Sequence, residues 1–171
     1  MKTVRVGFST HPGAFSWLIR NVTASNVSHT YLRIPIPEHD TSMIFQASGL
    51  TVNYCATDVF SLKNTVVEEY DVEISDEQYE LGEKFRVTEA GKPYSMRQVG
   101  GFLVVLAARQ LLDKKVANPA SDGHHSYVCV EVVTVCIGLE DGESMTPEDL
   151  RRWCQKNAKL VRHNSPILAL K

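Results

Sequence analysis

"YVCVEVVTVCIG", residues 127–138, decides the fold. Its valines read as strand by propensity, since β-branched side chains suit a pleated sheet better than a helix. A helix over the same residues needs tertiary support. The choice has chemical weight. In a helix, Cys129 stands in the first turn among backbone N–H groups with no intrahelical partner, and Cys136 lies on nearly the same face, two turns deeper. Those N–H groups favour a thiolate and suit an oxyanion formed during acyl transfer. The alternative is a core filler, because free cysteine is among the most buried residue types.

Outward from this stretch, the chain alternates strands and helices. "TVRVGFS" (3–9) reads as a strand broken by "HPG". "AFSWLIRNVT" (14–23) places Phe15, Leu18, Ile19 and Val22 at helical spacing. "HTYLRIPI" (29–36) is a strand stopped by Pro35 and Pro37. "SMIFQASG" (42–49) and "LTVNYCATDVF" (50–60) are two more strands, with Gly49 between them. Ser75 caps a helix over "SDEQYELGEKFRVTEAG" (75–91), with Gln78 as its reciprocal partner and Gly91 as its end. "SMRQVGGFLVVLAARQLLDKK" (95–115) predicts a buried central helix, and "VANPASDG" (116–123) a polar loop. "MTPEDLRRWCQKN" (145–157) carries the clearest local signal: Thr146 as cap, Pro147 as first helical residue, Asp149 completing the box. "SPILAL" (165–170) reads as a final strand. The sum is a small α+β domain with an antiparallel sheet and several helices.

The length of 171 residues suits one domain over 1–171, burying about two-thirds of its unfolded surface. A formal net charge of -2 with scattered Lys and Arg gives no basic stripe for nucleic acid. The longest apolar run, "GGFLVVLAA", is too short to span a bilayer, and the first residues hold no signal-peptide core, so a cytoplasmic location is expected. Cys55, Cys129, Cys136 and Cys154 form no CxxC pair and read as free thiols. Two N-x-[ST] triplets, at Asn21 and Asn26, are read as chance matches.

If Cys129 attacks a carbonyl, the fold must bring it a histidine as base. Six are available: His11, His29, His39, His124, His125 and His163. His29 opens the strand "HTYLRI", where the strand end holds a ring rigidly beside a cleft; the alternative is a ring bonded to a loop carbonyl. Gln46, inside an otherwise apolar strand, needs a partner if buried, and its carbonyl suits an imidazole N–H. With normal strand alternation it faces solvent instead. His124 and His125 with a distant carboxylate would suggest a metal site, but adjacent side chains diverge on either a strand or a helix.

Three segments in order resemble the circularly permuted NlpC/P60 group of papain-like cysteine peptidases and acyltransferases: "VRVGFS" through "NVSHTYLRI", then "MIFQASGLTV", then "SYVCVEVV". The match touches most of residues 4–136, and "GKPY" (91–94) fits it too. The resemblance implies a papain-like domain with a small antiparallel sheet packed against helices, and a helix starting near Cys129. It implies a thiol hydrolase with Cys129 as nucleophile, His29 as base and Gln46 orienting the ring, no cofactor, and Glu131 in a supporting role. Substrates implied are peptides, peptidoglycan peptides or other acyl groups, with lipid acyl transfer or a non-catalytic binding module as alternatives. Two departures stand out: Val130 replaces a frequent serine, and Gln46 replaces a frequent glutamate.

Overall fold

The computed structural model describes residues 1–95, 101, 126–140 and 142–163. The expected helix at 95–115, the loop at 116–123, His124, His125 and the strand at 165–170 lie wholly or almost wholly outside these residues.

Among the described residues, six strands form one open sheet in the order β4-β3-β2-β1-β5-β6. They are β1 (Lys2–Thr10), β2 (His29–Ile36), β3 (Thr41–Ser48), β4 (Thr51–Ala56), β5 (Thr65–Ile74) and β6 (Lys159–His163). Every neighbouring pair is antiparallel. The sheet is larger than the sequence patterns indicate. Two strands account for the difference. In β5, "TVVEEYDVEI", acidic residues interrupt the apolar alternation, yet Glu68 and Glu69 are both buried. β6, the outermost strand, is exposed along its whole length, so no apolar face marks it. The stretch 50–60 also divides: β4 stops at Ala56 and a helix follows.

Alternation gives the sheet two covered faces. One carries Val4, Val6, Phe8, Leu32, Phe45, Ala47, Val52 and Val72, the main core. Three helices add to this core: α3 (Asp76–Glu89), α4 (Cys129–Ile137) and α5 (Pro147–Asn157). The other face carries a smaller cluster of Tyr31, Ile44, Phe60 and Val66, closed by α2 (Thr57–Lys63). Gly7 pairs directly with Tyr31, and the Tyr31 ring occupies the space a Cβ at position 7 would need, 2.1 Å from its Cζ. The Tyr31 hydroxyl donates to Glu69 at 2.8 Å, and Arg33 Nε donates to the same oxygen at 2.7 Å.

The stretch at 127–138 is helical from Cys129 to Ile137 despite its valines. Tertiary contacts supply what propensity does not. Val130, Val132, Val133, Cys136 and Ile137 are all buried in the main core. Glu131 Oε2 accepts from Val128 N–H at 2.8 Å, satisfying a donor at the helix start. At the other end Gly138 takes a left-handed φ of 73°, and Gln78 donates to the Val135 carbonyl at 2.9 Å. Gln78 therefore does not complete a box with Ser75. Its backbone N–H bonds Ser75 Oγ, but its side chain crosses to α4. Gly82 of α3 lets the two helices touch: a Cβ there would sit 2.8 Å from the Cys136 carbonyl oxygen.

Thr146 and Asp149 cap α5 reciprocally, with Pro147 at its first position. Arg151 then reaches β5, where Nε and Nη2 each donate to the buried Glu68 carboxylate at 2.7 Å. Tyr70 hydroxyl donates to Glu68 at 2.7 Å, and His163 of β6 approaches it at 3.2 Å. The helix α1 (Ala14–Val22) forms where its spacing predicts, but its apolar stripe is not a core face: Phe15, Trp17 and Leu18 are exposed, and Ser16 is its buried residue.

Candidate functional site

His29 opens β2, held there by the Ser28 N–H bonding the Ser9 carbonyl at 3.0 Å. Its ring shares the smaller face with Phe60, at 6.3 Å between ring centres. Nε2 lies 2.7 Å from Gln46 Oε1. The amide of Gln46 in turn faces Asn53 Oδ1 and Cys55 Sγ, each at 3.4 Å. This follows from register, since Gln46 and Asn53 pair directly across β3 and β4. Buried polar groups need such partners, which is why a glutamine is accommodated in an apolar strand.

Burial drives the His29 pKa down to about 4, with the Gln46 carbonyl pulling partly against it. The ring is therefore neutral at pH 7. An amide oxygen only accepts, so Nε2 carries the hydrogen and Nδ1 keeps its lone pair. Among the described residues, the bond to Gln46 is the ring's one hydrogen bond. His29 and Gln46 line a pocket of about 600 Å³ beneath α1. Phe15 and Ile19 of α1 and Tyr94 supply much of its apolar wall, and Lys63 stands at its edge. Ser28 also lines it, hydrogen-bonded to Ser16 Oγ. Ser9, paired with His29 across β1 and β2, has a fully buried hydroxyl with no hydrogen-bond partner among the described residues. None of these hydroxyls stood out in the sequence, and only the β1–β2 register brings Ser9 beside His29.

Cys129 is the first residue of α4 and is buried in the main core with Phe8, Leu32 and Phe45. Its sulfur sits near the backbone N–H groups of Thr30, Val130 and Cys129 itself. Burial nevertheless pushes the thiol up to about 11, the N–H groups opposing and the Glu131 carboxylate adding to the rise. The sulfur also lies beside Tyr94, which lines the pocket with His29. Residue 29 points to the face of Tyr31 and Phe60, whereas Cys129 packs into the cluster of the opposite face. His29 and Gln46 are thus brought together, and no hydrogen bond joins His29 to Cys129 among the described residues. Cys136 and Cys154 are buried thiols, both raised to about 12 chiefly by burial.

No family model matches the chain, and no curated protein matches it in sequence. Its fold does match a solved structure, the crystal structure of metalloprotein YiiX from Escherichia coli O157:H7, DUF1105. The TM-score is 0.55 at 17% identity, over 96% of this chain and 98% of that one. At that identity the likeness is one of fold.

The comparison corrects three expectations. The fold class is α+β with helices and an open antiparallel sheet, matching the YiiX fold, and the papain-like (permuted NlpC/P60) assignment is withdrawn. The resemblance to the NlpC/P60 group goes with it. The thiol hydrolase is corrected as well. The protein of like fold is described as a metalloprotein, and the described residues hold no Cys/His/Asp arrangement for nucleophilic catalysis.

Proposed function

We propose that this chain binds a small molecule with an apolar body and one hydrogen-bond donor, the donor resting on Nδ1 of His29. The observation that carries this reading is the neutral ring at the pocket: Nε2–H is committed to Gln46, which leaves an oriented acceptor and no charge. The volume of about 600 Å³ lies in the range of small-ligand pockets, which combine apolar walls with a few fixed polar groups. In this reading His29 and Gln46 form the ligand-facing pair, and Cys129 is a packing residue of the helix behind it.

A resident metal does not fit the described residues. No three His, Cys, Asp or Glu side chains gather among them.

The test is a titration of isotope-labelled protein with hexanamide, 1-hexanol and hexanoate at pH 7, following the His29 ring and Ser28 amide signals. Hexanamide and 1-hexanol, which carry a donor, are expected to shift both signals saturably, and hexanoate to bind more weakly. His29→Phe is expected to lose the discrimination by about tenfold, the weight of one buried hydrogen bond. Equal binding of all three probes, or no saturable shift from any, overturns the reading.

A further inference from the structure

A second cleft, on the other side of the molecule's main core, poses an electrostatic problem. Arg86 of α3 has a side chain only 6% exposed, and a buried guanidinium needs a close, well-formed counter-charge. Among the described residues its one charged partner is Glu83, one turn earlier. That contact is long, 3.4 Å, and the Glu83 side chain is 53% exposed. The other groups beside the guanidinium are neutral. The Tyr79 ring centre lies 5.8 Å away, and the Tyr54 hydroxyl and the Cys136 thiol, both raised by burial, feel Arg86 pulling the other way.

The guanidinium hydrogen-bonds the Tyr54 hydroxyl and the Cys136 thiol, and neither carries a countercharge. It lines an open cleft of about 490 Å³ together with Ile34, Tyr54, Lys84 and Thr88. Lys84 has no carboxylate partner among the described residues. Among the described residues the cleft therefore presents two cations and a phenol, against one carboxylate, the half-exposed Glu83. A guanidinium fork and an ammonium together suit an anion with several oxygens better than a single-point acceptor.

We propose that the cleft between α3 and the β2 and β4 strands binds a tetrahedral oxyanion of the phosphate class, with Arg86 as its buried anchor and Lys84 at its rim. The anion takes the place of Glu83 beside the guanidinium. The same chemistry serves a free phosphate or a phosphate ester.

The experiment uses the full chain and inorganic phosphate at fixed ionic strength, with sodium chloride as the control, read by calorimetry and by the Arg86 side-chain N–H signal. Saturable binding above the chloride control is expected. Lys84→Gln is expected to weaken it severalfold. Glu83→Gln, which removes the competing carboxylate, is expected to tighten it severalfold. Arg86→Lys is expected to abolish it. If Arg86→Lys fails to fold, the Lys84 and Glu83 variants decide, and unchanged affinity in both overturns the proposal. So does a phosphate response equal to the chloride response. A phosphate monoester added in competition distinguishes the two sources: displacement at lower concentration assigns the site to the ester, and weaker displacement to the free anion.

Discussion

At the scale of the residue, His29 is the group whose surroundings most change its chemistry. Its pKa falls from an ordinary 6.5 to about 4 on folding, mainly through burial. Between those values the unfolded chain binds a proton that the folded chain refuses, so stability falls as pH drops through this window and levels off below it. Above pH 6.5 both states hold the neutral ring and the group adds no pH dependence. His29→Gln should flatten the urea-midpoint profile between pH 6.5 and pH 4, by up to one proton in the slope, and leave it unchanged above. A variant as steep as the parent in that window would show that the ring is not held neutral. The sequence does single out His29 and Gln46, because a strand-opening imidazole and a glutamine among apolar residues are both unusual. What it cannot disclose is the direction in which each points. His29 and Thr30 are consecutive, and alternation turns that single step into opposite faces of the sheet.

At the scale of the element, α4 shows how packing overrides propensity. Five valines and isoleucines would cost a free helix several tenths of a kcal/mol each, but burial of one such side chain contributes about 1.5–3 kcal/mol. The helix wins because both ends are also satisfied, by Glu131 at the start and by Gln78 at the finish. Gly82 belongs to the same argument. Gly→Ala in an exposed helix interior gains roughly 0.5–1 kcal/mol. Here the new Cβ would meet the Cys136 carbonyl oxygen at 2.8 Å, a backbone atom that cannot rotate aside. Gly82→Ala should therefore destabilise by about 1–3 kcal/mol, the usual cost of overpacking. Chemical denaturation measures it, and a stabilised variant would mean that α3 and α4 do not touch at this point. By contrast α5 was legible to the residue, since its cap, its proline and its acidic partner are all local. β5 was not. Its Glu68 and Glu69 look solvated in sequence, and only the distant Arg151, Arg33 and Tyr31 explain why they are buried.

At the scale of the whole molecule, the carboxylate of Glu68 ties β5 to α5 and β6, far along the chain. Burial alone would raise its pKa, but the hydrogen bonds from Arg151 and Tyr70 outweigh that and hold it below the usual carboxylate range. Its contribution is therefore present above the unfolded pKa and is lost as pH falls through the folded one. Arg151→Met strands a buried charge and should cost about 3–5 kcal/mol at pH 7. The penalty should shrink by pH 4, where protonation relieves the stranded carboxylate. Parallel urea titrations of parent and variant at the two pH values measure both effects, and an equal penalty at both would remove Glu68 as the junction. The overall architecture was harder to read than its parts. Ordered motifs can be matched to a family one at a time, but strand order is set by pairings between residues far apart, such as Lys2 with Ile74 and Glu69 with Arg162.

Among the described residues the sheet does not close on itself, and its last ladder ends in the row Lys159, Leu160, Val161, Arg162, His163, exposed throughout. An unsealed β border is an invitation for another chain to zip on. Lys159 and Arg162 set cations along this one, and like charges facing each other would oppose the zipping of a second identical border.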